Sequence, residues 1–202
     1  MEHIIKKKIN DEILESINVF NKILNSDLIV NKIDIVSSVL ENISSHGGNI
    51  FFAGNGGSAA DSQHLAAELV GRFRLDRKAI KAQALTTDTS ILTAVGNDFT
   101  FQDIFKRQIE ALGNEGDALF VMSTSGNSEN IINVIKEGKK KKITIIGLTG
   151  EQNSEMTKLC DYIIQVPSKN TARIQEAHIL IGHIICRNIE EGLFKKIKNF
   201  KV

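Results

Sequence analysis

"FFAGNGGSAADSQHLAAELVGRF", residues 51–73, joins an apolar run, a glycine-rich turn and a helical pattern without a break. Phe51-Phe52-Ala53 reads as the end of a buried strand. Gly54-Asn55-Gly56-Gly57-Ser58 reads as a tight turn, since glycines relieve the steric limits other residues meet there. From Ala59 onward the pattern is helical. A strand that ends on glycines and restarts as a helix aims backbone N–H groups at one point, where an anion fits.

The same alternation runs outward from this stretch. Ile5, Ile9, Ile13, Ile17 and Phe20 recur at helical spacing, which predicts an amphipathic helix over 3–25. A second helix, 31–46, stops at His46-Gly47-Gly48. "NIFFAG" is the first strand and 58–72 its following helix; "IKAQAL" is a second strand, followed by the mostly helical "TSILTAVGND" and a helix over 101–112. "DALFVMS" is the third strand, leading through "TSGNS" into a helix over 128–138. "KITIIGLTG" and "DYIIQV" are the fourth and fifth strands, and a long helix over 171–195 closes the chain. Short apolar strands alternating with helices demand right-handed crossovers and a parallel sheet covered on both faces. The expected fold is therefore α/β, a doubly wound five-stranded parallel sheet with two added N-terminal helices. Residues 1–202 form one domain in this reading, with 1–46 as a helical extension packed on it.

Bulk properties narrow the function classes. With 25 basic and 24 acidic residues the net charge is +1, which argues against nucleic acid or a membrane surface as partner. No apolar run approaches the roughly 18 residues needed to span a bilayer. The N-terminus lacks the apolar core of a signal peptide. Two cysteines, Cys160 and Cys186, suit a reducing compartment, so a cytoplasmic location is expected. The basic run "KEGKKKK" (136–142) reads as a solvated helix end, where cations are favoured.

Ligands of such sheets sit outside the carboxyl ends of the strands, where both glycine- and hydroxyl-rich loops fall. The first loop mimics a dinucleotide fingerprint at Gly54, Gly56 and Ala59, but the acidic partner expected about 20 residues on would be Asp76. Asp76 lies in the charged "RFRLDRK" and not at a strand tip, so a nicotinamide cofactor is rejected. A Walker-type Gly-Lys-Ser/Thr is also absent. The second loop, Ser123-Thr124-Ser125-Gly126-Asn127-Ser128, offers hydroxyls and backbone N–H groups, a cradle for phosphate without lysine or metal. Two such loops on one sheet edge point to a phosphorylated small molecule.

His64 and Glu68 are four residues apart and share a helix face. The last helix carries Gln175, Glu176, His178 and His183. At 100° per residue, Gln175 lies about 80° from His183, and Glu176 about 20°. Spacing alone cannot choose between them, and His178 fits a buried structural histidine equally well. Two imidazoles and a carboxylate make a zinc set, with an amide oxygen as a weaker fourth ligand.

Four stretches carry a resemblance to a known family: "GNGGSAADSQHLAAELVGRF", "ALTTDTSILTAVGNDF", "STSGNS" and "VPSKNTARIQEAHILIGHII". In this order they closely resemble the phosphoheptose (sedoheptulose 7-phosphate) isomerases of the sugar-isomerase (SIS) domain class, a flavodoxin-like fold. The resemblance implies isomerisation of sedoheptulose 7-phosphate to D-glycero-D-manno-heptose 7-phosphate through an enediol, for lipopolysaccharide or capsule. It implies a homotetramer with active sites between subunits and one zinc per subunit, held by His64, Glu68, Gln175 and His183. It favours Gln175 over Glu176. Substrate contacts would fall on Asn55, Gly56, Gly57, Glu68, Asn97, Asp98, Ser123, Thr124, Ser125, Ser128 and Gln175. Glu68 would be the base and His183 its acid/base partner; Asp98 would position sugar hydroxyls, with Asp61 and Arg72 beside the first loop as further candidates for that contact. A sugar-phosphate-binding regulator and an isomerase of another sugar phosphate are the rival readings. A pure binding module would not need His64, Glu68, Gln175 and His183 together.

Overall fold

Near-continuous apolar runs form the strands, because a parallel sheet is covered on both faces. In the computed structural model, which describes residues 2–194, these are β1 (Ile50–Gly54), β2 (Ala82–Ala84), β3 (Ala118–Met122), β4 (Thr144–Thr149) and β5 (Tyr162–Gln165). They lie in the order β2-β1-β3-β4-β5, and every neighbouring pair is parallel. The chain leaves β1 toward β2 and returns to β3 on the other side, which is the flavodoxin-like switch point.

Alternation along each strand assigns the two faces. Phe52, Phe120, Ile146 and Ile164 enter one core, shared with α2 (Asp27–Ser45), α3 (Gly57–Val70) and α8 (Thr171–Phe194). Phe51, Leu119, Val121 and Ile145 enter the other, shared with α5 (Lys106–Leu112) and α6 (Glu129–Lys140). α8 reaches the first core through Ile174, Ala177, Ile181, Ile185 and Ile189, a three-to-four-residue rhythm. The basic run ends α6 as expected: Lys139, Lys140 and Lys142 pair with Asp161, Glu137 and Glu115. No helix among the described residues is long and apolar enough to cross a membrane.

Local details differ from the sequence expectations. The second helix begins at Asp27, because the Ser26 hydroxyl caps it by accepting from the Ile29 N–H. The expected helix over 101–112 divides into a 3₁₀ turn (Phe101–Asp103) and α5, and the break lets Ile104 and Phe105 drop into the second core. A short helix, α7 (Glu155–Leu159), stands between β4 and β5, where none was expected. The expected end of the last helix at residue 195 lies outside the described residues, as do residues 1 and 196–202 of the expected domain. The largest difference concerns α1 (Glu2–Leu24). Val19 and Ile23 seat in the core, but Ile5, Ile9, Ile13 and Ile17 of its stripe are 46% to 55% exposed.

His178, on α8, is 0% exposed, and neither ring nitrogen meets a partner at hydrogen-bond geometry. Burial pushes its pKa down to about 4, opposed more weakly by the Thr149 backbone. Unfolded, the ring would titrate near 6.5, so between those values the unfolded chain binds the extra proton. Stability from this residue is therefore fully present above pH 6.5 and is lost as pH falls toward 4. Between pH 7 and pH 5 the unfolding free energy should drop by about 2 kcal/mol more in the wild type than in His178→Phe. Urea titrations at the two pH values check this; an equal drop in unfolding free energy in the two proteins would remove His178 as the cause.

Candidate active site

β1 delivers its carboxyl end directly into the turn before α3. Gly56 caps α3 with φ +56° and no side chain, a conformation that favours glycine, and it leaves the helix end unblocked. The hydroxyl loop leaves β3 beside it, since Gly54 and Met122 are register partners. Within that loop the Ser123 oxygen lies 3.1 Å from Ser128 Oγ and 3.4 Å from Ser125 Oγ, and accepts from the Gly126 N–H. Ser125 accepts in turn from the Asn127 N–H. Thr124 is half-buried, and its carbonyl accepts from the Gly150 N–H. The two loops are linked: Asn55 and the buried Asn130 exchange both amide hydrogen bonds at 2.8 Å. The carboxamide of Asn55 thus ties the first loop to the first turn of α6, the helix that follows the hydroxyl loop. Asn130 was not singled out from sequence, where it is one polar residue in the first turn of a helix.

His64 and Glu68 meet on one face of α3, with His64 Nε2 3.2 Å from Glu68 Oε1. His183 arrives from α8, its Nε2 2.8 Å from that of His64. One ligand atom from each of the three lies within 4.8 Å of the others. Burial first, and then the neighbouring His64, hold His183 below the usual histidine range against the pull of Glu68. Its ring is therefore neutral at pH 7 and has a lone pair to offer. Two imidazole nitrogens and one carboxylate oxygen at these separations fit a metal such as zinc. Phe73 stacks on the His183 ring, with centroids 5.5 Å apart and planes at 20°. Sequence reading passed over Phe73, although it ends the stretch that decided the fold.

The other candidates are dispersed. Gln175 lies eight residues before His183, a rise of about 12 Å along α8. Its carboxamide packs over Gly57, where a Cβ would come within 2.7 Å of its nitrogen. Glu176 turns to α1, accepting from Ser16 Oγ at 2.8 Å and from Arg173 at 2.7 Å. Asn97 and Asp98 are exposed at the end of α4 (Thr89–Asp98), where Asn97 donates to Asp98. Asp61 is half-buried with one carboxylate oxygen enclosed and unpartnered; burial pushes its pKa up to about 6, against the pull of His64. Arg72 is exposed.

The sheet order, the two loops at the switch point and the ionisable group define the class. The SIS domain family matches residues 15–150. The phosphoheptose isomerase of Aneurinibacillus thermoaerophilus is 50% identical over 187 residues, covering 93% of this chain and 94% of that protein. Among solved structures, the phosphoheptose isomerase of Neisseria gonorrhoeae superposes with a TM-score of 0.87 at 37% identity, over 93% of this chain and 99% of that one. That of Francisella tularensis gives 0.88 at 36% identity, over 92% and 97%. The chain belongs to the phosphoheptose isomerases, sugar-phosphate isomerases of heptose biosynthesis.

Proposed function

We propose that the protein converts sedoheptulose 7-phosphate to D-glycero-D-manno-heptose 7-phosphate through an enediol, supplying heptose for lipopolysaccharide or capsule in the cytoplasm. The observation that carries the reading is the His64–Glu68–His183 group, three proton- and metal-binding side chains brought together from two helices. Aldose–ketose interconversion moves a proton between C1 and C2, which needs a base at carbon and a second group serving the oxygens. Glu68 takes the base role and His183 the acid/base role. The hydroxyl loop of Ser123, Thr124, Ser125 and Ser128 holds the phosphate, far from the reacting carbons, so its binding energy positions the other end of the sugar. Asn55, Gly56, Gly57, Asn97 and Asp98 complete the substrate contacts.

One zinc per subunit, held by His64, Glu68, Gln175 and His183, would supply polarisation of the carbonyl and charge stabilisation for the enediolate. Gln175 stands about 12 Å of helix rise from His183 with its carboxamide against Gly57, so a Gln175 from another copy is the better source of the fourth ligand. This favours sites shared between subunits of a homotetramer. The exposed apolar stripe of α1, with Leu180 and Ile184 exposed on α8, supplies a surface for such assembly. Each subunit is then one SIS domain over 1–202, with 1–46 as its helical extension.

The test is proton NMR of sedoheptulose 7-phosphate with the protein in deuterated water, before and after chelation. The expected result is an aldoheptose phosphate carrying deuterium at C2. Chelation should lower the rate at least a hundredfold, and added zinc should restore it. Absence of both product and exchange in the metal-replete protein would overturn the substrate assignment.

A further inference from the structure

Glu190 and Arg77 form an ion pair enclosed by the protein, with side chains 0% and 1% exposed and Oε1 3.0 Å from Nε. Burying such a pair gains little stability over a well-packed apolar pair, so its bonds are better read for what they hold in place. Glu190 accepts four hydrogen bonds. Oε1 takes the Phe73 N–H at 3.1 Å as well as Arg77 Nε, and Oε2 takes the N–H groups of Arg74 at 2.8 Å and Leu75 at 3.1 Å. Three consecutive amides thus close around one carboxylate.

The guanidinium directs most of its remaining donors to the end of α3. Nη2 donates to the Glu68 carbonyl at 2.8 Å, and Nη1 to the carbonyls of Leu69, Gly71 and Lys78. These include carbonyls that a helix end otherwise leaves unpaired. The pair therefore bolts together three things: the α3 turn carrying Glu68, the loop carrying Phe73, and α8. Glu190 follows His183 by seven residues, about 20° round the helix, so the carboxylate lies on the same side of α8 as the imidazole. Phe73, held through its own N–H, is the residue stacked on that imidazole.

We infer that Glu190 and Arg77 are positioning residues for the His64–Glu68–His183 group, fixing the 73–75 backbone so that Phe73 sets the plane of the His183 ring toward His64. The inference rests on the isomerase reading for its kinetic consequence alone; the positioning itself is readable without substrate or metal. In the metal-free protein the stacked Phe73 ring shifts the His183 ring protons, and that shift reports the arrangement.

The experiment compares Glu190→Gln, Arg77→Lys and Phe73→Leu with Glu137→Gln, which breaks a partly buried pair on α6 away from the group. Four quantities are read on folded protein: the His183 ring shift without metal, hydrogen exchange at amides 73–75, zinc affinity by chelator competition, and kcat with KM. In Glu190→Gln and Arg77→Lys the ring shift should collapse and the three amides should exchange faster. Zinc affinity and kcat should each fall about 10- to 100-fold, the size expected when a partner behind the ligands is lost, with KM nearly unchanged. Phe73→Leu should reproduce the zinc and kcat losses while the amides stay protected, and Glu137→Gln should change none of the four. An unaltered ring shift and zinc affinity in Glu190→Gln would overturn the proposal. If that variant fails to fold, Arg77→Lys decides by the same criteria. If wild type neither binds zinc nor isomerises the sugar, the functional reading fails, and ring shift with amide exchange still decides the positioning.

Discussion

Glu68→Gln should lower kcat by about two to four orders of magnitude, the range expected when a positioned general base is removed. Gln matches the volume and keeps an oxygen, but it removes the basic carboxylate and is a weaker ligand for a metal. The backbone at this position is anchored independently, since Arg77 bonds the Glu68 carbonyl, and the variant should fold. The half-buried carboxylate also lies 3.2 Å from His64, which gives it two competing uses. An oxygen bound firmly to a metal is a poorer base, so the prediction separates them by measuring zinc content with the rate. Slow turnover with zinc retained, and no deuterium entering C2, would assign the proton transfer to Glu68. Full exchange at C2 in a zinc-loaded Glu68→Gln protein would give the base role to another residue.

The second large effect is expected at Gly126, which no sequence reading distinguished from other turn glycines. Its φ is +67°, a region costing other residues roughly 1–2 kcal/mol. A Cβ there would lie 2.2 Å from Ser154 Oγ, 2.6 Å from Ser154 Cβ and 2.8 Å from Thr149 Oγ1. Rotating the serine hydroxyl relieves only the first of these overlaps, so the backbone must move. The Gly126 N–H donates to Ser123 and its carbonyl accepts from the Met156 N–H, so a shift here carries the whole hydroxyl loop with it. Gly126→Ala should raise KM at least tenfold with a smaller change in kcat. It should also lower Tm by about 5–10 °C, corresponding to about 2–3 kcal/mol of strain and overpacking. Steady-state kinetics and a thermal melt check both. An unchanged KM in the folded variant would detach the loop from phosphate binding.

The short helix α7, which no pattern in the sequence announces, shows where local pattern stops being sufficient. Five residues, Glu155–Leu159, are too few for a 3.6-residue period to register, and the helix start is held by the Thr157 hydroxyl, which accepts from the Ser154 N–H at 3.1 Å. The stripe of α1 has the opposite history. Its period is plain in the sequence, yet periodicity says only that a face is apolar and not what covers it. In the single chain, Ile5, Ile9, Ile13 and Ile17 remain open.

The order of strands and helices, the parallel sheet and the two loops at its carboxyl edge are legible in the chain itself. Each of these follows from short-range chemistry: apolar runs, glycine turns, and crossovers of one hand. The pairing of His64 with Glu68 was legible for the same reason, being four residues apart on one helix. Only the tertiary structure brought His183 to His64 across 119 residues. It also showed that Glu176 serves Arg173 and Ser16 while Gln175 lies against Gly57. Helical spacing could not separate those two neighbours, because the broad face of α8 includes both. Arg77 and Glu190 were hidden for a different reason. In sequence they are charged residues among other charged residues, and their significance comes from burial against three amides and the end of a helix. Burial and long-range approach depend on how α3 and α8 pack together, a relation that no window of the chain contains.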